Sequence, residues 1–275
     1  MIGIINPWQP INLSHPLNRG LVACWQSIPG YQRSSVIRDL CRHNDPHDLD
    51  LNIGSDSVAG KWSGASRHGG LGEWSFDGTS DFFEAVTVPK QIQNLSKLTV
   101  SAWIKTTASG QYLVEQWRGG SGQHFTLVWG FTAGKAQFYV ANGGIPSSGA
   151  SSQSIDDGVW HMITGVYDEI KVYIYVDGVE GNSSANTTPL ITTTTAPLRI
   201  GNVDGPLHFD DVRIYDRGLS ASEVRQLYYA SQERLSPLLN RIDLSGRKVG
   251  VAAGGPWPHH MDNYDLSGNF SGLGL

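Results

Sequence analysis

From residue 72 onward, short apolar stretches recur, separated by glycine, aspartate and serine at the spacing of a sandwich or barrel. The strands this predicts are 81–88, 98–106, 111–117, 124–130, 135–141, 160–168, 171–177, 197–201 and 208–215. In 171–177 the alternation is unbroken. Val172, Ile174 and Val176 share one face, and Lys171, Tyr173, Tyr175 and Asp177 the other. Asp177-Gly178 then supplies the positive φ of a tight hairpin turn. Gly134 and Asp157-Gly158 mark two further turns. An earlier strand is expected at 21–26, whereas 27–71 read as irregular, rich in Gly, Asp, Ser and His. One helix is predicted, at about 221–229. Ser220 and Glu223 make a capping box, Leu219 and Val224 have the spacing of a hydrophobic staple, and Val224, Leu227 and Tyr228 form the apolar stripe.

These signals give three parts: an N-terminal arm (1–20), one β domain (21–230) and a Gly/Pro-rich C-terminal tail (231–275). Pro7, Pro10 and Pro16 break any helix in the arm. The tail carries Asp-Leu-Ser-Gly twice, at 243–246 and 265–268, each a small turn. It has no core of its own and is expected to lie over another surface. Trp8 and Trp257 are candidate apolar anchors for assembly. His259-His260 reads as a solvated or interface pair, with metal binding as the alternative.

Composition supports an all-β protein. Charged residues are 16% of the chain, against about 25% in typical soluble domains. A coiled coil, helical bundle or disordered chain is therefore disfavoured. The net charge is −5 with no long basic run, so neither nucleic-acid binding nor a polybasic membrane anchor is supported. No stretch is long and apolar enough for a membrane helix, and the first residues do not read as a secretory signal. The expectation is a protein that stays in the cytosol after synthesis or leaves without a cleaved signal, as in a particle released by lysis. Cys24 and Cys41 sit beside apolar residues and read as two buried small hydrophobes; a disulfide is the alternative. Zinc-site and EF-hand spacings are absent.

Several blocks carry a family resemblance. Phe76-Asp77-Gly78-Thr79-Ser80-Asp81-Phe82 resembles the F-D-G-x-x-D-Y opening of laminin-G-like, concanavalin A-like jelly rolls. The run 98–105, the Asp157-Gly158-Val159-Trp160-His161 strand start, the hairpin at 173–178 and Leu198-Arg199-Ile200-Gly201 resemble the family's successive strands. Residues 209–220 followed by Glu223 resemble its closing D-D-V-R-I-Y-x-R-A-L-S-x-x-E run, with Gly218 where the family usually has Ala. The blocks are in order and cover roughly 72–230. The run 14–23 also resembles laminin-G-like proteins of tailed phages, less specifically. The fold implied is a two-sheet antiparallel jelly-roll sandwich with one short C-terminal helix and extended arms.

The resemblance does not fix function, because this fold hosts lectins, adhesion modules, hydrolases and structural domains. The hydrolases carry an E-x-D-x-x-E strand; Glu73, Glu84 and Glu115 each lack a carboxylate two residues on. No serine nucleophile elbow occurs. His161 reads as structural. Related jelly rolls bind calcium through loop carboxylates, which makes Asp77, Asp81, Asn202, Asp204 and Asp211 the candidate calcium ligands. The alternative is that Asp77 and Asp81 cap their own turn and that Asp211 bonds backbone or Arg213. The 118–123 loop lacks carboxylates, unlike the calcium loop of the related pentraxins. Sugar binding needs aromatic platforms, and Trp117, Trp129, Tyr112, Tyr139 and Tyr173 sit on strands that line a sheet face, with Tyr175, Trp62 and Trp74 as further candidates. The reading is a non-enzymatic structural and adhesive protein, of the capsid-decoration type on a virion surface, docking on other protein subunits through its arms. A lectin-like glycan-binding module is the second reading and a glycoside hydrolase the third.

Overall fold

The computed structural model describes residues 12–27, 36–37, 39–41, 49–52, 61–63, 72–76, 82–85, 90–93, 95–108, 110–118, 122–129, 134–142, 145–185, 195–202 and 206–233. The chain divides into two units, Met1–Ser236 and Pro237–Leu275, and the described residues all belong to the first.

Among the described residues, two antiparallel sheets form a jelly-roll sandwich. The first holds β1 (Leu21–Trp25), β4 (Lys61–Ser63), β5 (Glu73–Phe76), β7 (Leu98–Thr106), β12 (His161–Tyr167), β13 (Lys171–Val176), β14 (Val179–Glu180), β15 (Ser184–Ala185) and β17 (Leu207–Tyr215). The second holds β2 (Val36–Ile37), β3 (Leu49–Asn52), β6 (Phe82–Ala85), β8 (Gln111–Arg118), β9 (Gly122–Trp129), β10 (Lys135–Asn142), β11 (Ile145–Ser154) and β16 (Arg199–Asn202). The second sheet is ordered β11-β10-β9-β8-β16-β6-β3-β2; in the first, the path β14-β13-β12-β7-β17-β5-β4 carries β15 on β13 and β1 on β17.

The inner faces bury one apolar core. Val100, Ile104, Ile163, Val172, Ile174 and Ile214 of the first sheet face Leu113, Phe125, Leu127, Phe138 and Ile200 of the second. Val172, Ile174 and Val176 thus point inward, as their alternation requires. The hairpin turn has Asp177 at φ 52° and Gly178 at φ 76°, two positive values in succession that match the twist of the flanking strands. Gly201 has φ 83°, and a Cβ there would overlap the Phe76 ring.

A second apolar layer lies outside the first sheet. α1 (Ala221–Glu233) sets Val224 and Leu227 against Trp103, Met162, Tyr175 and Tyr215. Its capping box is formed: the Ser220 amide donates to Glu223 Oε2 at 2.9 Å, and the Glu223 amide to Ser220 Oγ at 3.3 Å. The helix continues to Glu233, past the expected end. Trp103 Nε1 donates to Ser231 Oγ at 3.0 Å, so a tertiary contact in its last turn holds residues that local propensity leaves open.

Two expectations change. The stretch 27–71 is not irregular throughout, because β2, β3 and β4 lie within it. Residues 145–154 give no strand signal in sequence, yet form β11 against β10 at the sheet edge. Backbone pairing alone makes an edge strand from Ser- and Gly-rich sequence, with no apolar alternation to reveal it.

Candidate functional site

Strand register identifies the residues sharing the outer face of the second sheet. Phe125, Leu127 and Trp129 of β9 point into the core, so Thr126 points outward. Thr126 pairs with Tyr139 on β10 and with Glu115 on β8; Glu115 pairs with Arg199 on β16, and Arg199 with Glu84 on β6. One row therefore crosses five strands. A second row joins Gln137, Val128 and Tyr112. Trp117 meets Tyr139 edge to face, with ring centroids 6.3 Å apart. The three rings Tyr112, Trp117 and Tyr139 are half-buried, each presenting part of its surface.

Buried polar side chains lie on the same strands. Gln137 Oε1 and Thr126 Oγ1 are buried and have no hydrogen-bond partner among the described residues. His124 Nδ1 lies 2.7 Å from Gln116 Oε1, and Gln116 Nε2 donates to the Ala196 carbonyl at 3.2 Å. Burial pulls His124 down to about 4, so the ring is neutral at physiological pH. Its Nδ1–H then donates to Gln116, leaving Nε2 an acceptor with no partner among the described residues. Burial raises Tyr112 and Tyr139; the nearby Glu115 charge raises Tyr112 further. Both phenols stay protonated, with hydroxyls that donate and accept. Arg199 grips the Glu84 carboxylate while its guanidinium lies 4.5 Å from the Phe82 ring centre. Flat rings beside protonated tyrosine hydroxyls suit a ligand that combines apolar C–H faces with hydroxyl groups.

The remaining predicted site residues lie elsewhere. Trp129 is not on this face: it is fully buried in the core, and its Nε1 donates to the Ala108 carbonyl at 3.2 Å. Tyr173 is on the other sheet, stacked on Tyr175 with its hydroxyl 3.2 Å from Asp168 Oδ2. Trp74 is a core residue, edge-on to Phe83. Asp211 sits at a β-bulge with φ 48°, buried, its oxygens bonded to Arg213 Nε at 2.8 Å and Nη2 at 3.0 Å and to Gln26 Nε2 at 2.7 Å. That carboxylate is committed to an arginine, which corrects its assignment as a calcium ligand. Asn202 pairs with Tyr112 in register, but its side chain, like Asp77, Asp81 and Asp204, lies outside the described residues. So do Trp8, Trp257, His259 and His260. Among the described residues, no three His, Cys, Asp or Glu side chains converge to hold a metal.

Sequence reading named the three rings that share this face, but not Thr126, Gln137 or His124. Their membership follows from cross-strand register, and the bulges on β8 hide that register from simple alternation.

The fold recurs in solved structures. The binding domain of Paraclostridial Mosquitocidal Protein 1 aligns with TM-score 0.60 at 17% identity, over 78% of this chain and 53% of that one. The receptor binding domain of botulinum neurotoxin D aligns with TM-score 0.57 at 13% identity, over 78% and 54%. The botulinum neurotoxin serotype D ligand binding domain in complex with N-acetylneuraminic acid aligns with TM-score 0.57 at 12% identity, over 77% and 51%. This chain thus spans about half the length of the chains it matches, and at these identities the likeness is one of fold. No curated protein matches the sequence. The family model described as concanavalin A-like lectin/glucanases superfamily matches residues 77–225, more than half of the chain, and the protein belongs to that superfamily.

Proposed function

We propose that the protein is a non-enzymatic carbohydrate-binding, adhesive module, and that its ligand face is the outer surface of the second sheet. One observation carries this reading. Three half-buried aromatic side chains, Tyr112, Trp117 and Tyr139, share this face, with Trp117 and Tyr139 in edge-to-face contact. Such rings stack on the apolar face of a pyranose, while the tyrosine hydroxyls donate to and accept from its hydroxyl groups. A screen of the full chain against immobilised glycans tests it. Saturable binding of a defined glycan supports the reading; no binding across a broad panel of neutral and acidic glycans overturns it.

A hydrolase is weighed on the same face, where Glu84 and Glu115 flank Arg199 on neighbouring strands. The Glu84 carboxylate is held by Arg199, and Glu115 is buried, which disfavours that reading. Any bound glycan should be recovered uncleaved after prolonged incubation.

The finer placement, a virion surface protein of the capsid-decoration type docked on other subunits by its arms, rests on sequence alone. Its support is the composition of residues 1–20 and 231–275 and the anchors Trp8 and Trp257. Calcium at Asp77, Asp81, Asn202 and Asp204 is a proposal of the same standing.

A further inference from the structure

On the outer face of the first sheet, Cys24 of β1 and Cys41 meet over a single carboxylate oxygen. Asp39 Oδ1 accepts from the Cys24 amide at 2.8 Å and from the Cys41 amide at 3.0 Å. The Leu40 amide donates to the Cys24 carbonyl at 2.8 Å, so residues 39–41 run alongside β1. Both side chains are buried in one apolar cluster with Leu21, Leu40 and Tyr215. A disulfide needs Cα atoms roughly 4.4–6.8 Å apart. Two amides sharing one acceptor atom hold their residues near that spacing before any covalent bond exists. Cys24 Sγ lies 3.9 Å from Asp211 Oδ1. Burial first, then the charge on Cys24, pushes the Cys41 thiol up, which slows exchange without preventing the bond.

We propose that Cys24 and Cys41 form a disulfide site, which closes when the folded protein meets a small-molecule disulfide such as oxidised glutathione. One cysteine thiolate attacks a glutathione sulfur, breaks the S–S bond and releases one glutathione thiol. The other cysteine then attacks the resulting mixed disulfide and releases the second. The two cysteine sulfurs lose two electrons, the glutathione disulfide gains them, and the two cysteine protons end on the two glutathione thiols. The new bond encloses the sixteen residues 25–40 and staples β1 to the segment beyond them. β1 is the strand that pairs with β17 next to the Asp211 bulge, so the staple fixes the strand that closes this edge. In reducing surroundings the pair stays as two buried thiols.

The test uses the native full-length chain. It is incubated with oxidised glutathione, freed of excess reagent, alkylated and digested without reduction. The expected product is a peptide pair linked through Cys24 and Cys41, with an intact mass lower by two hydrogens. The linked protein should melt roughly 6–12 °C above the same protein after dithiothreitol. Cys24→Ser should abolish both the linked peptide and the gain in melting temperature. Recovery of two alkylated thiols, or of glutathione adducts alone, overturns the proposal, as does a linked form that melts below the reduced one. The comparison of oxidised and reduced wild type stands even if the variant folds poorly.

Discussion

At the scale of single residues, His161 gives the sharpest solution prediction. Its Nδ1 lies 2.7 Å from Asp177 Oδ2 and its Nε2 3.2 Å from Asp157 Oδ1, which ties two turns together. The hydrogen bond to Asp177, reinforced by the charges of both aspartates against the opposing effect of burial, raises its pKa. A folded-state pKa above the unfolded value means that the contribution is fully present below about pH 6.5 and is lost as pH rises through the raised value. The melting temperature of wild type should therefore exceed that of His161→Gln by more near pH 6 than near pH 9; a pH-independent gap would refute the ion pairing. The structural role read from the Trp160-His161 sequence holds here. Asp211 shows the limit of such reading, because a carboxylate beside Arg213 is equally a metal ligand or an ion-pair partner until burial is known. Arg213→Met should cost about 3–5 kcal/mol in denaturant unfolding, since it leaves the buried Asp211 without its arginine partner. A loss under about 1 kcal/mol would show that the pair is dispensable.

At the scale of elements, legibility followed the strength of local pattern. The strand 171–176, its Asp-Gly turn and the capped start of α1 all announce themselves within a few residues. β11 and the last turn of α1 do not, because each depends on a partner distant in sequence or on backbone pairing alone. α1 is anchored by two side chains buried against the first sheet, Val224 and Leu227. Leu227→Ala should lower unfolding free energy by about 2–5 kcal/mol through the cavity it leaves. An unchanged midpoint would mean that the helix lies loosely on the sheet. Gly201→Ala meets both a positive φ and the Phe76 ring, so a loss of about 3 kcal/mol or more is expected from the same experiment. The Gly in Leu198-Arg199-Ile200-Gly201 was readable as a family feature; its reason, contact with a ring on the opposite sheet, was not.

At the scale of the whole molecule, the order of the sequence blocks was enough to read the sandwich, while the proposed ligand face needed the sheet itself. Trp117 and Trp129 look equivalent in sequence, each on an aromatic-rich strand, yet one is half-exposed and the other is sealed in the core. The docking role of the arms is tested by solution mass: the full chain should form a larger species than a chain ending at Ser236, and equal monomer masses would count against it. The central claim concerns which face binds. The most direct measurement is calorimetric titration, with a glycan found by the screen, of wild type, Trp117→Ala and Tyr173→Ala. These place one substitution on the outer face of the second sheet and one on the other sheet. The account predicts that Trp117→Ala weakens binding at least about tenfold with its melting temperature kept, while Tyr173→Ala binds as wild type does. Full affinity in Trp117→Ala, or a loss confined to Tyr173→Ala, would contradict it.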